Sequence, residues 1–135
     1  MELADTSVWG KQRRPGVVDW FAQAVEDGEI AVCDMVVMEV LTSAQDQRDF
    51  VALEEALGYC PWLRVEMADW DRAREVYRSL AARPLHHRAV KIPDLFIAAV
   101  AERHGVGVVH CDEDYERISA VTGQPIRWAA PRGSL

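Results

Sequence analysis

Five acidic side chains stand where an alternation of strands and helices could bring carboxylates together. Asp5 follows a short apolar start, and Asp112 and Asp114 follow a second apolar run. Asp94 begins a long apolar segment, and Glu39 lies within another. Carboxylates in one partly buried cleft raise one another's pKa unless a cation neutralises them. Oxygen-only ligands favour Mg²⁺ or Mn²⁺, so the set indicates metal-assisted phosphodiester hydrolysis.

Each of these carboxylates, taken alone, also has a structural interpretation. Asp5, Asp34 and Asp112 precede helical patterns and are suited to be helix N-caps. Asp94 in a first helical turn complements the helix dipole, and Glu39 suits a half-exposed helix position. Both interpretations stay open for any single residue, whereas the set as a whole favours a shared site.

Short apolar runs of β type alternate with helical patterns along the chain. The β-type runs are Leu3-Ala4 and residues 30–33, 62–65, 106–110 and 125–128. The helical patterns cover residues 15–28, 34–44, 50–58, 70–81, 94–103 and 112–121. This alternation predicts an α/β fold over residues 1–135 as one domain, with helices on both faces of a parallel sheet. Sites in such sheets form beyond the carboxyl ends of the strands.

The segment that follows Pro93 is apolar nearly all round, from Leu95 to Ala101. A helix without a polar face is buried on all sides, and proline is well tolerated at its start. The pattern therefore predicts a central helix that carries Asp94 into the interior.

The charge of the chain is unevenly distributed. With 15 basic and 22 acidic residues the net charge is −7, which argues against a nucleic-acid partner. Residues 72–91, however, contain six basic residues and one acidic residue. Without the five candidate carboxylates the net charge is −2. A nucleic-acid partner is therefore compatible with the composition when a cation occupies the site.

The cysteines and the absence of long apolar runs indicate the cellular compartment of the protein. Cys33, Cys60 and Cys111 are odd in number and scattered, as expected of reduced thiols. No apolar run approaches the ~20 residues of a membrane span, and the N-terminus lacks a signal-peptide pattern. We expect a cytoplasmic protein without a membrane partner.

Four motifs in order resemble those of the PIN-domain ribonucleases, and more narrowly the VapC-type toxins of type II toxin–antitoxin systems. The motifs are Leu3-Ala4-Asp5-Thr6-Ser7-Val8-Trp9, Val36-Val37-Met38-Glu39-Val40-Leu41, Ile92-Pro93-Asp94-Leu95-Phe96-Ile97-Ala98-Ala99 and His110-Cys111-Asp112-Glu113-Asp114-Tyr115. The resemblance covers essentially the whole chain. It implies a three-layer α/β/α PIN-like fold with a short-stranded, mainly parallel sheet. It also implies Mg²⁺-dependent RNA cleavage, with Mn²⁺ able to substitute, inhibition by a cognate antitoxin, and a homodimer.

Residue roles follow from the resemblance position by position. Asp5, Glu39, Asp94 and Asp112 match the family's acidic quartet, and Asp114 matches a fifth position found in part of the family. Asp5, Asp94 and Asp112 are expected to hold Mg²⁺. Glu39 and Asp114 are expected to position a second ion or the attacking water.

The neighbours of the acidic positions agree with the family in part. Thr6 and Ser7 match hydroxyls that orient the first carboxylate. Only Leu3-Ala4 precede Asp5, where relatives have a longer strand. His110 stands where many relatives have Thr or Ser, so Asp112 lacks that hydroxyl support.

The basic candidates for RNA contact flank the motifs; they are Arg13, Arg14, His87, Arg88 and Lys91. Phosphate contacts suit them, and solvated loops are the alternative interpretation. His86, His87 and His110 lack a second ligand at zinc spacing, and their role stays open.

Other functions fit the sequence less well. A phospho-acceptor receiver domain needs adjacent carboxylates after its first strand, where Asp5 stands alone. A haloacid-dehalogenase-type phosphatase needs a second Asp where Ser7 stands. A PIN-fold RNA- or protein-binding module without turnover remains the alternative. The RNA substrate stays open between tRNA, ribosomal RNA and mRNA.

Overall fold

The computed structural model of the chain describes residues 1–84 and 89–135. The strands in these ranges are β1 (Glu2–Ala4), β2 (Ile30–Cys33), β3 (Trp62–Leu63), β4 (Gly107–His110) and β5 (Ile126–Trp128). The helices that lie wholly within these ranges are α1 (Thr6–Gly10), α2 (Val18–Glu26), α3 (Asp34–Leu41), α4 (Gln47–Gly58), α5 (Met67–Ala81), α6 (Ile92–Arg103) and α7 (Asp114–Thr122). The predicted alternation of strands and helices is confirmed.

The sheet has the strand order β3-β2-β1-β4-β5, and every pairing is parallel. From the central β1 the chain builds first one side of the sheet and then the other. The strand order therefore reverses between β1 and β4, the position at which α/β sheets open a crevice. Ala4 pairs with Val109, and the Asp5 amide donates to the Val109 carbonyl at 2.9 Å. Asp5 and the segment after β4 consequently leave the sheet side by side.

Two hydrophobic clusters cover the two faces of this sheet. Leu3 and Val108 belong to the larger cluster, which includes residues of α3 to α7. Ala4 and Val109 belong to the smaller cluster, together with Val8 of α1 and residues of α2. Successive strand residues point to opposite faces, which explains the division. The predicted three-layer α/β/α architecture is confirmed.

Helix α6 is the buried central helix that the sequence predicts. All residues from Asp94 to Ala101 are buried. The helix begins at Ile92, with Lys91 as the N-cap residue and Pro93 in the first turn. Burial on all sides fixes the position and direction of Asp94, since no face of the helix is free to tilt toward solvent.

Several predicted boundaries differ from those in the structure. Helix α3 ends at Leu41 rather than near Ala44, because the hydroxyls of Thr42 and Ser43 donate to carbonyls in the preceding turn. Helix α2 begins at Val18, after a turn in which Gly16 has a φ of 88°. A positive φ is incompatible with a helix that starts at Pro15 and Gly16.

The prediction that Asp34 is an N-cap is wrong. Cys33 is the N-cap residue of α3, and Asp34 is the first helical residue. The Asp34 carboxylate instead accepts hydrogen bonds from Trp62 Nε1 at 3.2 Å and the Val65 amide at 2.6 Å. It also pairs with Arg64 at 2.9 Å. Because this carboxylate takes the Val65 amide, β3 ends at Leu63 rather than continuing to residue 65.

Two further features bear on what the composition predicts, namely the state of the cysteines and the length of the helices. Cys33 and Cys60 are buried, Cys111 is half-buried, and all three thiols are free. Burial raises the pKa of the Cys33 thiol to about 11, which keeps it protonated. None of the helices in the described ranges is long and apolar enough to cross a membrane.

A buried ion pair fastens the start of α5 to the end of α6. Asp69 is 1% exposed and accepts two hydrogen bonds from Arg103, at 2.9 and 3.0 Å. Burial alone would raise the pKa of Asp69, but the Arg103 guanidinium and the Glu66 amide lower it overall. A lowered pKa stabilises the fold above about pH 4, and this stabilisation is lost as the pH falls below that value.

Replacing Asp69 with Asn is therefore expected to lower the free energy of unfolding at pH 7 by about 2–3 kcal/mol, because Arg103 loses its buried charged partner and keeps only the exposed Glu66 at 3.5 Å. Urea denaturation followed by circular dichroism measures the change. The control is Asp71→Asn on the same helix, where an exposed carboxylate lies 3.7 Å from Arg74 and is worth about 0.5 kcal/mol or less. Equal losses in the two variants would contradict a special role for the buried pair.

Candidate active site

Three carboxylates form a compact cluster beyond the carboxyl end of β4. Oxygen atoms of Asp94, Asp112 and Asp114 lie within 4.8 Å of one another. Helix α6 supplies Asp94, the turn after β4 supplies Asp112, and the start of α7 supplies Asp114. Asp94 and Asp114 are buried and Asp112 is half-buried, so the cluster is open to solvent on one side. We call these three residues the acidic cluster.

Asp94 is the member of the acidic cluster whose negatively charged form is strongly disfavoured. It is 5% exposed, and its Oδ2 has no hydrogen-bond partner in the part of the chain that the structure describes. Burial raises its pKa to about 9, helped by a hydrogen bond with Asp114 and by the charges of Asp5 and Asp112. Asp94 therefore holds a proton at neutral pH when no cation is bound.

Asp112 makes hydrogen bonds with both carboxylate oxygens. Its Oδ1 accepts from the Asp114 amide at 2.9 Å, and its Oδ2 accepts from Lys91 Nζ at 2.6 Å. Burial opposes ionisation, but Lys91 and the amide outweigh it, so the pKa of Asp112 is lowered. By the helix bounds Glu113 is the N-cap residue of α7, but it has helical φ and ψ and makes no capping hydrogen bond. Asp112 supplies the capping bond to the Asp114 amide, as its N-cap interpretation predicts.

Asp114 is held by two basic residues. Its Oδ2 accepts from the Lys91 amide at 2.8 Å and lies 3.5 Å from Lys91 Nζ. Its Oδ1 accepts from Arg117 at 3.2 Å. These donors keep a 2%-exposed carboxylate in one orientation next to Asp94.

Asp5 lies beside the acidic cluster and is held by three donors. It is the N-cap of α1, as its cap interpretation predicts, and its Oδ2 accepts from the Ser7 amide and hydroxyl. Its Oδ1 accepts from Tyr115 Oη at 2.6 Å. Its charge contributes to the raised pKa of Asp94. Being a helix cap and belonging to the site are thus compatible for Asp5.

Ser7 supports Asp5 as the resemblance implies, but Thr6 serves a different carboxylate. Thr6 Oγ1 donates to Glu39 Oε1 at 2.8 Å. Ser7 Oγ also accepts from the Cys111 amide at 3.0 Å, which ties the end of β1 to the end of β4. Two consecutive hydroxyls therefore orient two carboxylates on different elements.

His110 supports Asp112, which lacks the hydroxyl support that the resemblance would otherwise imply. Its ring is fully buried beside the rings of Tyr115 and Trp128, at 5.0 and 4.8 Å between centroids. Nδ1 accepts a hydrogen bond from the Asp112 amide at 3.2 Å. Burial lowers the pKa of His110, so the ring is neutral and Nδ1 remains available as an acceptor.

The candidate RNA contacts fall into three groups. Arg13 and Arg14 are exposed between α1 and α2. Lys91 lies against the acidic cluster, with its ammonium bound to Asp112. His87 and Arg88, like His86, lie outside the described residues.

The roles of Tyr115 and Arg117 are not among those predicted from the sequence. Arg117 stands three residues after Asp114 in a helix, a spacing that brings the two side chains together. That signal was available in the sequence. No comparable local signal links Tyr115 to Asp5, since the two residues are 110 positions apart.

The residues present suit a divalent cation. All ligand atoms of the acidic cluster are carboxylate oxygens, which hard cations such as Mg²⁺ and Mn²⁺ prefer. The second observation is Asp94 Oδ2, which is buried and without a partner among the described residues. A buried polar atom of this kind is costly unless something binds it, and a cation at the acidic cluster would do so.

The sequence of this chain is similar to those of known proteins. Residues 3–121 match the PIN domain family. The chain is 44% identical over 132 residues to ribonuclease VapC18 of Mycobacterium tuberculosis, covering 97% of this chain and 96% of that protein. It is 38% identical over 136 residues to ribonuclease VapC21 of the same organism, covering 98% and 96% respectively.

Among solved structures, the DNA-bound VapBC of Salmonella typhimurium has a similar fold. Its matching chain aligns with a TM-score of 0.76 at 18% identity, covering 96% of this chain and 100% of that chain. At this identity the match shows a common fold, and it agrees with the parallel sheet and the helix layers described above.

The raised pKa of Asp94 predicts a pH-dependent stability difference in the metal-free protein. Between about pH 4 and 9 the folded state binds the Asp94 proton and the unfolded state does not, so stability falls as the pH rises. Asp94→Asn has no proton to lose. Thermal unfolding in EDTA should show the variant gaining on the wild type as the pH rises from 5 to 8.5, by about 1 kcal/mol or more. The control Asp27→Asn, at an exposed position, should give a constant difference, and the same result for Asp94→Asn would contradict the raised pKa.

Removing the Tyr115 hydroxyl tests the support of Asp5. Tyr115→Phe leaves a buried carboxylate oxygen without its donor, and we expect a loss of about 1.5–3 kcal/mol in unfolding free energy. Tyr59→Phe is the matched control, because Tyr59 is 88% exposed and its change should stay near zero. Indistinguishable unfolding curves for the two variants would argue against the Tyr115–Asp5 bond.

Proposed function

This chain belongs to the PIN-domain family, and we propose that it is a metal-dependent endoribonuclease of the VapC type. The observation that carries the proposal is the buried Asp94 carboxyl, whose Oδ2 lacks a partner among the described residues and which shares the acidic cluster with Asp112 and Asp114. Two relatives that match nearly the whole chain carry the name ribonuclease, which supports RNA as the substrate.

The proposed cofactor is Mg²⁺, with Mn²⁺ as a substitute. Asp5, Asp94 and Asp112 are retained as its proposed ligands, and Asp114 is added because its oxygens belong to the acidic cluster. When bound, such an ion lowers the pKa of a water and stabilises the charge that develops on the phosphodiester. The ligand set contains only oxygen atoms, which supports Mg²⁺ over softer metals.

The surrounding side chains orient the carboxylates for this chemistry. Ser7 and Tyr115 hold Asp5, so that it keeps one orientation as RNA enters. Thr6 holds Glu39, which we propose positions the attacking water or a second ion. The His110 ring fixes the backbone of Asp112. Preorganised carboxylates save the reorganisation that flexible ones would require during reaction.

RNA contact outside the acidic cluster is proposed for basic residues elsewhere in the sequence and for Lys91. Arg13 and Arg14 are exposed and suited to phosphate contacts, and His87, Arg88 and Lys91 are retained as candidates. Their contribution should weaken as salt concentration rises, because phosphate contacts release counterions. Sequencing of the cleaved ends distinguishes tRNA, ribosomal RNA and mRNA as the substrate.

We further propose that this ribonuclease is the toxin of a type II toxin–antitoxin system. The 44% identity to a protein named VapC supports this role. The proposal includes a cognate antitoxin that blocks access to the acidic cluster, a homodimer of the toxin and a cytoplasmic location. Growth arrest on expression, relieved by a small protein encoded next to the gene, is the expected behaviour in cells.

Substitution of Asp94 by Asn tests the enzymatic proposal. The variant keeps the shape of the side chain but loses the charge, and we expect Mg²⁺-dependent cleavage of RNA to fall by about 100-fold or more. Cleavage of total RNA by purified protein, with sequencing of the new ends, measures the loss and identifies the target.

The matched control is Asp27→Asn, which removes one exposed carboxylate and should cleave like the wild type. Undiminished cleavage by Asp94→Asn would contradict the site. Wild-type protein that binds RNA or a protein partner but never cleaves would support the alternative of a binding module without turnover.

A further inference from the structure

We propose that Lys91 is a built-in counter-ion of the acidic cluster, and that it competes with the divalent cation and thereby sets the affinity for it. The inference rests on the proposed function, because it requires the acidic cluster to bind a divalent cation. Lys91 is a positioning residue in this proposal: it acts on the carboxylates and not on the reacting atoms.

The Lys91 side chain reaches two members of the acidic cluster at once. Nζ lies 2.6 Å from Asp112 Oδ2 and 3.5 Å from Asp114 Oδ2. The Lys91 amide also donates to Asp114 Oδ2 at 2.8 Å. Lys91 is the N-cap residue of α6, and its carbonyl accepts from the Asp94 amide at 3.2 Å. The residue is thus anchored by its backbone within the site, and its ammonium lies among the carboxylate oxygens.

The carboxylate oxygens next to Lys91 are already occupied. Asp112 Oδ1 accepts from the Asp114 amide, and Asp112 Oδ2 accepts from Lys91. Asp114 Oδ1 accepts from Arg117, and Asp114 Oδ2 accepts from Lys91. Asp94 Oδ2, by contrast, has no partner among the described residues. A cation that binds both Asp94 and Asp112 therefore approaches oxygens that already carry a donor, and at Asp112 Oδ2 it competes with the Lys91 ammonium.

Distance makes simultaneous occupancy unfavourable. Mg²⁺ binds oxygen at about 2.0–2.1 Å, and the ammonium already lies 2.6 Å from Asp112 Oδ2. Two cations on one carboxylate oxygen repel strongly at such separations. The ion pair between Lys91 and Asp112 must therefore loosen or open when the divalent cation binds.

Lys91 can make this movement without disturbing the fold. Its side chain is 62% exposed, whereas that of Asp114 is 3% exposed. A lysine side chain is flexible and carries a compact charge that other acceptors or water can solvate. The free energy lost with the ion pair is subtracted from the free energy of cation binding, so Lys91 weakens the affinity for the cation.

This competition predicts a gain of affinity when the lysine charge is removed. Lys91→Met should bind Mn²⁺ about tenfold more tightly than the wild type. Mn²⁺ binding to the metal-free protein is measured by electron paramagnetic resonance of the free ion at fixed ionic strength. Lys11→Met is the matched control, because it removes the only other lysine, and its affinity should equal that of the wild type.

Further variants separate competition from a structural role. Lys91→Arg keeps a cation and should stay near the wild-type affinity. Lys91→Gln removes the charge but keeps a hydrogen-bond donor, so it should bind Mn²⁺ more tightly, and it replaces the Met variant if that variant fails to fold. Damage to the site would weaken Mn²⁺ binding, which is the opposite of the expected change.

The outcomes distinguish this inference from the proposed function. If the wild type binds Mn²⁺, Asp94→Asn abolishes binding and both neutral variants bind no more tightly, the role of Lys91 is overturned and the proposed function stands. If neither the wild type nor the Lys91 variants bind Mn²⁺, both proposals fail. A tighter Lys91→Met or Lys91→Gln together with an unchanged Lys11→Met establishes the competition.

Discussion

Repulsion between carboxylates at the junction of β1 and β4 is the constraint to which the surrounding structure responds. Asp5, Asp112 and Asp114 all act to raise the pKa of Asp94, which is already disfavoured as an anion by burial. This repulsion is reduced by a proton on Asp94, by the positive charges of Lys91 and Arg117, and by hydrogen-bond donors. A divalent cation neutralises several of these carboxylates at once, whereas the proton and each basic side chain act on only one or two of them. The site is therefore expected to respond strongly to such a cation.

Many of these stabilising contacts come from one short segment, which begins at the last residue of β4. Within residues 110–115, His110 fixes the Asp112 backbone, Asp112 accepts from the Asp114 amide, and Tyr115 reaches across to Asp5. The link from Ser7 to Cys111 ties the same segment to the end of β1. Because these bonds join the two strands at which the sheet order reverses, the geometry of the site depends directly on the pairing of β1 with β4.

Helix α6 shows how the hydrophobic core positions a candidate site residue. Its residues from Leu95 to Ala101 are buried, so the helix position is fixed by packing on every side. That packing holds Asp94 in a place where its charge is costly, and its Oδ2 remains without a partner among the described residues. A local cost of this kind at a candidate site residue is compensated by the stability of the rest of the core.

The sequence by itself determined the order of the elements and the candidate carboxylates. Hydrophobic periodicity is a local property, so the alternation of strands and helices, the buried helix α6 and the positions of Asp5 and Asp112 after strands could be predicted. Helix ends were less predictable, because the hydroxyls of Thr42 and Ser43 compete locally with the helix. The tertiary structure alone decided the strand order and the partners of each carboxylate. Lys91 and Asp112 are 21 positions apart, and Tyr115 and Asp5 are 110 apart, so these contacts exist only once the parallel strands have brought their carboxyl ends to one edge.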